Sequence, residues 1–112
     1  MGLKSALIVC TVLAAAMGSV AAQAPVDASA AEALAKKSGC LTCHSVTQKK
    51  GAPSFKETAA KYKGKPDAEQ TLVKHLTTNP KVKVDGKEEE HDSLKTKNEA
   101  DVRNVVRWIL SR

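Results

Sequence analysis

The chain has 112 residues, room for one domain at most. Phe55, Tyr62 and Trp108 are its three aromatics, too few large side chains to fill a sizeable core unaided. The formal net charge of +6 suits acidic protein partners or an anionic membrane surface. Nucleic acid is set aside as a partner because the N-terminus reads as an export signal.

That signal comes first in chain order. "MGLKSALIVCTVLAAAMGSVAA" places one early charge, Lys4, before an apolar run from Ala6 to Ala16 and a small-residue end at Ala21 and Ala22. The run is short of the ~20 residues of a spanning helix. Residues 1–22 are therefore read as a signal peptide, and 23–112 as the mature domain, with no transmembrane segment after cleavage and a periplasmic location. Cys10 follows Val9, which is too large for a lipid-attachment site, so Cys10 is expected to leave with the signal. Removal of Lys4 leaves 17 basic against 12 acidic residues, a mature charge of +5.

After a flexible "APVDASA", four segments carry helix-start signals, each a capping residue with an acid or amide three positions on. Ser29 with Glu32 opens "AAEALAKKS", closed by Gly39. Ser54 with Glu57 opens "FKETAAKYK", closed by Gly64. Asp67 with Gln70 opens "AEQTLVKHLTT", closed by Asn79 and Pro80. Asn98 with Asp101 opens "EADVRNVVRWILS". There Val102, Val105, Val106, Ile109 and Leu110 recur at the three-four spacing of a buried helix face. Residues 80–97 lie between the last two helices. "KVKV" within them alternates as a short strand would, but the segment is taken as a loop, and a loop this long in a small domain is often functional.

The mature chain keeps two cysteines, in "SGCLTCHSV". Cys40, Cys43 and His44 form C-x-x-C-H. Two thiols three apart on a helical turn can each bond one vinyl group of the same porphyrin, and the next residue then offers an imidazole to the iron. A disulfide is the plain alternative in an oxidising compartment, though closing so short a loop adds little stability. A thioredoxin-like site needs a βαβ setting that is absent. A zinc site needs more ligands than one C-x-x-C supplies. The reading is one haem c, covalent through two thioethers.

With these residues the sequence resembles the small bacterial class I cytochromes c. "KKSGCLTCH", "GAPSFKETAAKYKGK" and "VVRWILSR" carry the resemblance over nearly the whole mature chain. It implies an all-α fold of about four short helices wrapped around one covalently bound haem. It also implies that Pro53, nine residues past His44, offers its carbonyl to the proximal imidazole N–H, which would fix the ring and raise its basicity. A helix-start proline is the plainer role for Pro53, and both can hold. The family crosses its first and last helices with an aromatic from each. Trp108 matches, but the first helix offers only Leu34 and Ala35.

The family's usual sixth ligand, a methionine before the last helix, is missing: Met1 and Met17 are the only methionines, both in the signal. His91, in the loop before the last helix, is the leading candidate for the distal axial position. His75, a place that the family's pattern makes exposed and basic, ranks behind it, with a lysine, Asn79 or an open site as further alternatives. Glu88, Glu89, Glu90 and Asp92 around His91 are expected to favour a protonated, detached histidine as pH falls. Imidazole in place of thioether lowers the expected potential.

Two functions follow. The first is an exported carrier of single electrons between redox partner proteins, with Lys49, Lys50, Lys56, Lys61 and Lys63 placed to steer acidic docking surfaces. The alternative is haem-based binding or sensing of nitric oxide or carbon monoxide at a labile or open sixth position. No acid-base set suggests an enzyme, although a carrier can serve as the electron-transfer subunit of an oxidoreductase.

Overall fold

A computed structural model describes residues 24–112 together with Gly2. The signal expected over 1–22, Cys10 included, lies outside the described residues apart from Gly2. Five helices and one hairpin follow: α1 (Ala28–Lys37), α2 (Cys40–Cys43), α3 (Phe55–Tyr62), α4 (Ala68–His75), β1 (Lys81–Val84), β2 (Lys87–Glu90) and α5 (Glu99–Leu110).

Helix α1 begins before the expected Ser29. The Asp27 carboxylate accepts the Ala30 N–H at 2.9 Å. Asp27 N–H also donates to Asn104 Oδ1, and Asn104 Nδ2 donates to the Asp27 carbonyl, both at 2.9 Å. A carboxylate is as good a cap as a hydroxyl, and the Asn104 clamp from α5 fixes the chain at Asp27, so Ser29 falls inside the helix. Gly39, at φ 78°, takes the left-handed turn that ends α1 and starts α2.

At α3 the expected capping box forms: Ser54 Oγ accepts the Glu57 N–H at 3.1 Å, and the Glu57 carboxylate accepts the Ser54 N–H at 2.7 Å. Helix α4 stops at His75, three residues before the expected end. The Thr77 and Thr78 hydroxyls donate to the Val73 and Lys74 carbonyls at 2.8 Å, which satisfies two exposed acceptors of the last turn.

The expected 80–97 loop holds a hairpin, which adds a two-stranded sheet to the helical fold. Its antiparallel register pairs Lys81 with Glu90, Val82 with Glu89, Lys83 with Glu88 and Val84 with Lys87. Asp85 and Gly86 both have positive φ, 50° and 78°, as a two-residue primed turn requires.

The core forms where α5 meets α1, α3 and α4. Ala31 and Ala35 are fully buried in α1, and Val105 and Val106 almost so in α5. The small side chains of Ala31 and Ala35 form the α1 side of the contact with α5, where α1 lacks the aromatic usual in the family. Phe55 and Trp108 meet edge to face with centroids 5.4 Å apart. On the outer side of α5, Arg107 makes two hydrogen bonds of 3.0 and 3.2 Å to Glu69, and Arg103 a third of 3.2 Å, tying α4 to α5.

Candidate functional site

The helices leave a cavity of about 530 Å³ between them, within the range of small-molecule and cofactor sites. Cys40, Cys43, His44, Pro53, His75 and His91 all line it. The segments that supply them are held by short-range bonds. Gly39 turns the chain into the single turn of α2. His44 follows as its C-cap, its N–H donating to the Cys40 carbonyl at 3.0 Å. The loop after it folds back on α2: Ala52 N–H donates to the Cys43 carbonyl, and Phe55 N–H to that of Ser45.

His44 Nδ1 lies 2.6 Å from the Pro53 carbonyl. A carbonyl can only accept, so Nδ1 carries a proton, and Nε2 is the ring nitrogen left to face the cavity. Phe55 stacks on the same ring at 5.3 Å. Cys40 is half-buried and Cys43 exposed, and they form no disulfide with each other. Burial pushes the Cys40 thiol above its usual range, and the Asp92 carboxylate adds to that.

His91 faces the site from the opposite wall. Its ring centroid lies 6.2 Å from that of His44, with the planes at 55°. The base of the hairpin fixes its main chain. His91 N–H donates to the Pro80 carbonyl at 2.8 Å, and Asn79 Nδ2 donates to the His91 carbonyl at 3.1 Å. Ser93 Oγ then donates to Asn79 Oδ1 at 3.0 Å. Asn79, at φ 48°, is thus a positioning residue. Sequence reasoning weighed it as a helix stop and as an outside candidate for the iron; an Asn before Pro at a helix end was the available signal. The His91 Nδ1 is buried and makes no hydrogen bond.

His75 differs from the expectation of an exposed basic place. It is half-buried on the cavity wall, its ring 4.4 Å from that of His91 at 56°. Its spacing from Leu72 was the signal: three residues on, it shares that residue's buried face.

Burial lowers the basicity of both His75 and His91, and the charge of nearby imidazoles acts the same way. The Asp92 main chain and carboxylate oppose this at His91 but do not outweigh it. The acids of β2 divide, with Glu89 and Glu90 lining the cavity beside Asp92. Glu88 pairs with Lys81 at 3.2 Å, and Glu88 and Glu90 stand opposite lysines in the hairpin register. At His91 the net direction is toward lower basicity, while Asp92 acts in the direction expected of the surrounding acids. Of the five lysines expected to frame the site, Lys49 and Lys61 line the cavity, and Lys83 joins them from β1. Lys50 donates to the Leu41 carbonyl. Lys56 and Lys63 line a separate groove between α3 and the C-terminus, with Lys65 and Arg112.

Among the described residues no group of three or more His, Cys, Asp or Glu is placed to hold a bare metal ion. No described helix is long and apolar enough to cross a membrane.

The profile of the family described as Cytochrome c matches residues 28–112. Among solved structures, the fold is similar to the class 1 cytochrome MtoD of Sideroxydans lithotrophicus ES-1, with a TM-score of 0.73 and 47% identity over 78% of this chain and 97% of that one. Cytochrome c2 of Rubrivivax gelatinosus is 36% identical over 78 residues, 69% of this chain and 91% of its own length. Cytochrome c-551 of Stutzerimonas stutzeri is 43% identical over 61 residues, and the match spans 54% of this chain and 59% of that relative.

Proposed function

The chain belongs to the cytochrome c family, and from that membership we propose that it is an exported carrier of single electrons whose one haem c is held between His44 and His91. The family carries one covalently attached haem c. In this reading Cys40 and Cys43 hold it through thioethers, and His44 is the proximal ligand, fixed by Pro53. When bound, the haem supplies a ferric/ferrous couple.

The 6.2 Å separation of the His44 and His91 rings carries the reading. Two imidazoles on one metal, with bonds of about 2 Å each and ~1.2 Å from ring centre to nitrogen at either end, stand roughly 6 Å apart. The observed ring separation is of that size. With Nδ1 of His44 donating to Pro53, its Nε2 is the nitrogen available to coordinate once neutral. His91 stands where the absent methionine would be sought, and two imidazoles place the potential below that of a Met/His cytochrome.

Electrons are exchanged with redox partner proteins. Lys49, Lys61 and Lys83 line the cavity together with Glu57, Glu89, Glu90 and Asp92, so the preference for acidic docking surfaces rests on the net charge of +6, and association slows as salt rises. Cleavage after Ala22 would release residues 23–112 into the periplasm; the family match, over 28–112, falls within that segment. N-terminal sequencing of the exported protein checks the cleavage site. An optical redox titration of the holoprotein tests the function. A single one-electron wave, low-spin in both oxidation states, is expected. A change to high spin on reduction would overturn it in favour of gas binding at an open position.

A further inference from the structure

His44 and His91 differ in how their rings are held. Pro53 fixes the His44 ring through Nδ1 at 2.6 Å. The His91 Nδ1 is buried with no hydrogen-bond partner. Asn79 and Pro80 hold the His91 main chain, and beside the ring the Asp92 main chain acts on its basicity, so no side chain hydrogen-bonds the ring to fix its rotation. An imidazole bound through one nitrogen spins about that bond unless something stops it, usually a hydrogen bond to the other nitrogen. Here the neighbour is a second ring. His75 lies 4.4 Å from His91, centroid to centroid, inclined at 56°. It closes α4, whose Leu72 is buried, with Leu76 buried next to it. The ring is therefore carried on a packed element and not on the hairpin.

We propose that His75 is a positioning residue that sets the rotation of the His91 ring by packing against it. The proposal rests on His91 as the sixth ligand. It gives His75 no bond to the iron.

The test uses three variants of the holoprotein. The ferric electron paramagnetic resonance spectrum reports the angle between two axial imidazole planes, and carbon monoxide binding to the ferrous form reports how firmly the distal ligand is held. His75→Ala removes the ring while keeping a strong helix former at the end of α4. It is expected to shift the g-values and to raise carbon monoxide affinity by roughly ten- to a hundredfold. His75→Phe restores a ring of similar shape without nitrogen, and is expected to keep the wild-type spectrum and closure. Unchanged g-values and gas binding in His75→Ala would overturn the proposal. So would a His75→Phe protein that behaves like the alanine variant, since the nitrogen and not the ring would then matter. His91→Ala separates the underlying reading: it should open the site fully. If it stays low-spin and closed, the ligand assignment falls and the proposal with it, whatever His75→Ala shows.

Discussion

Asn79 shows how one side chain reaches the site without touching its centre. Its amide donates to the His91 carbonyl and accepts from Ser93, while its own backbone sits at φ 48°. Alanine there loses both bonds and retains the strained backbone. Asn79→Ala should destabilise the holoprotein by about 1–2 kcal/mol. Asn79→Gly relieves the backbone but not the bonds, and should cost about half as much; denaturant unfolding of the two variants checks the order. At this scale the site was unevenly legible. Cys40, Cys43 and His44 are set by spacing along one local turn, Pro53 is implied by the family resemblance, and the structure brings all four to one cavity. His75 depends on where α4 ends and on how the hairpin folds back. No local pattern carries that information, so its contact with His91 was not foreseen.

At the scale of elements, Glu69 is the link between α4 and α5. Arg107 and Arg103 hold its carboxyl below the usual range. A carboxylate with a depressed folded pKa adds stability that is present above its unfolded value, near 4.5, and is lost as pH falls through the lower folded value. Glu69→Gln should therefore lower stability near neutrality by about 1–2 kcal/mol, and the difference from the parent should vanish in acid. Unfolding followed between neutrality and about pH 3 checks this. The α1–α5 contact is tight in a different way. Ala35 is fully buried, and Ala35→Leu should overpack the crossing by about 1–3 kcal/mol, read from the same unfolding curves. The helices were legible because each carries a cap and a periodic face. The hairpin was passed over although Asp85–Gly86 beside an alternating "KVKV" is a recognised turn signal. Its second strand, "KEEE", is polar throughout and fully exposed, with no apolar face to reveal it.

For the whole molecule, the core surrounds the cavity instead of filling the centre. Phe55, Leu72, Leu76, Val105 and Ile109 are buried core residues that also line it. A bound haem would supply the apolar mass that three aromatics do not, and binding to the native state adds to stability. The variant with Cys40→Ser and Cys43→Ser should therefore lose most of its helical circular dichroism when purified without haem. Retention of the native signal would show that the protein shell folds alone. The thin aromatic content made this dependence legible from composition.

The central claim is that His91 closes the site opposite His44. The most direct measurement is the ferrous optical spectrum of the holoprotein before and after carbon monoxide, for the parent and for His91→Ala. The parent spectrum should be low-spin and unchanged by the gas, and the variant should turn high-spin and bind the gas readily. A parent that forms the adduct at once, or a variant that remains low-spin and closed, would contradict it.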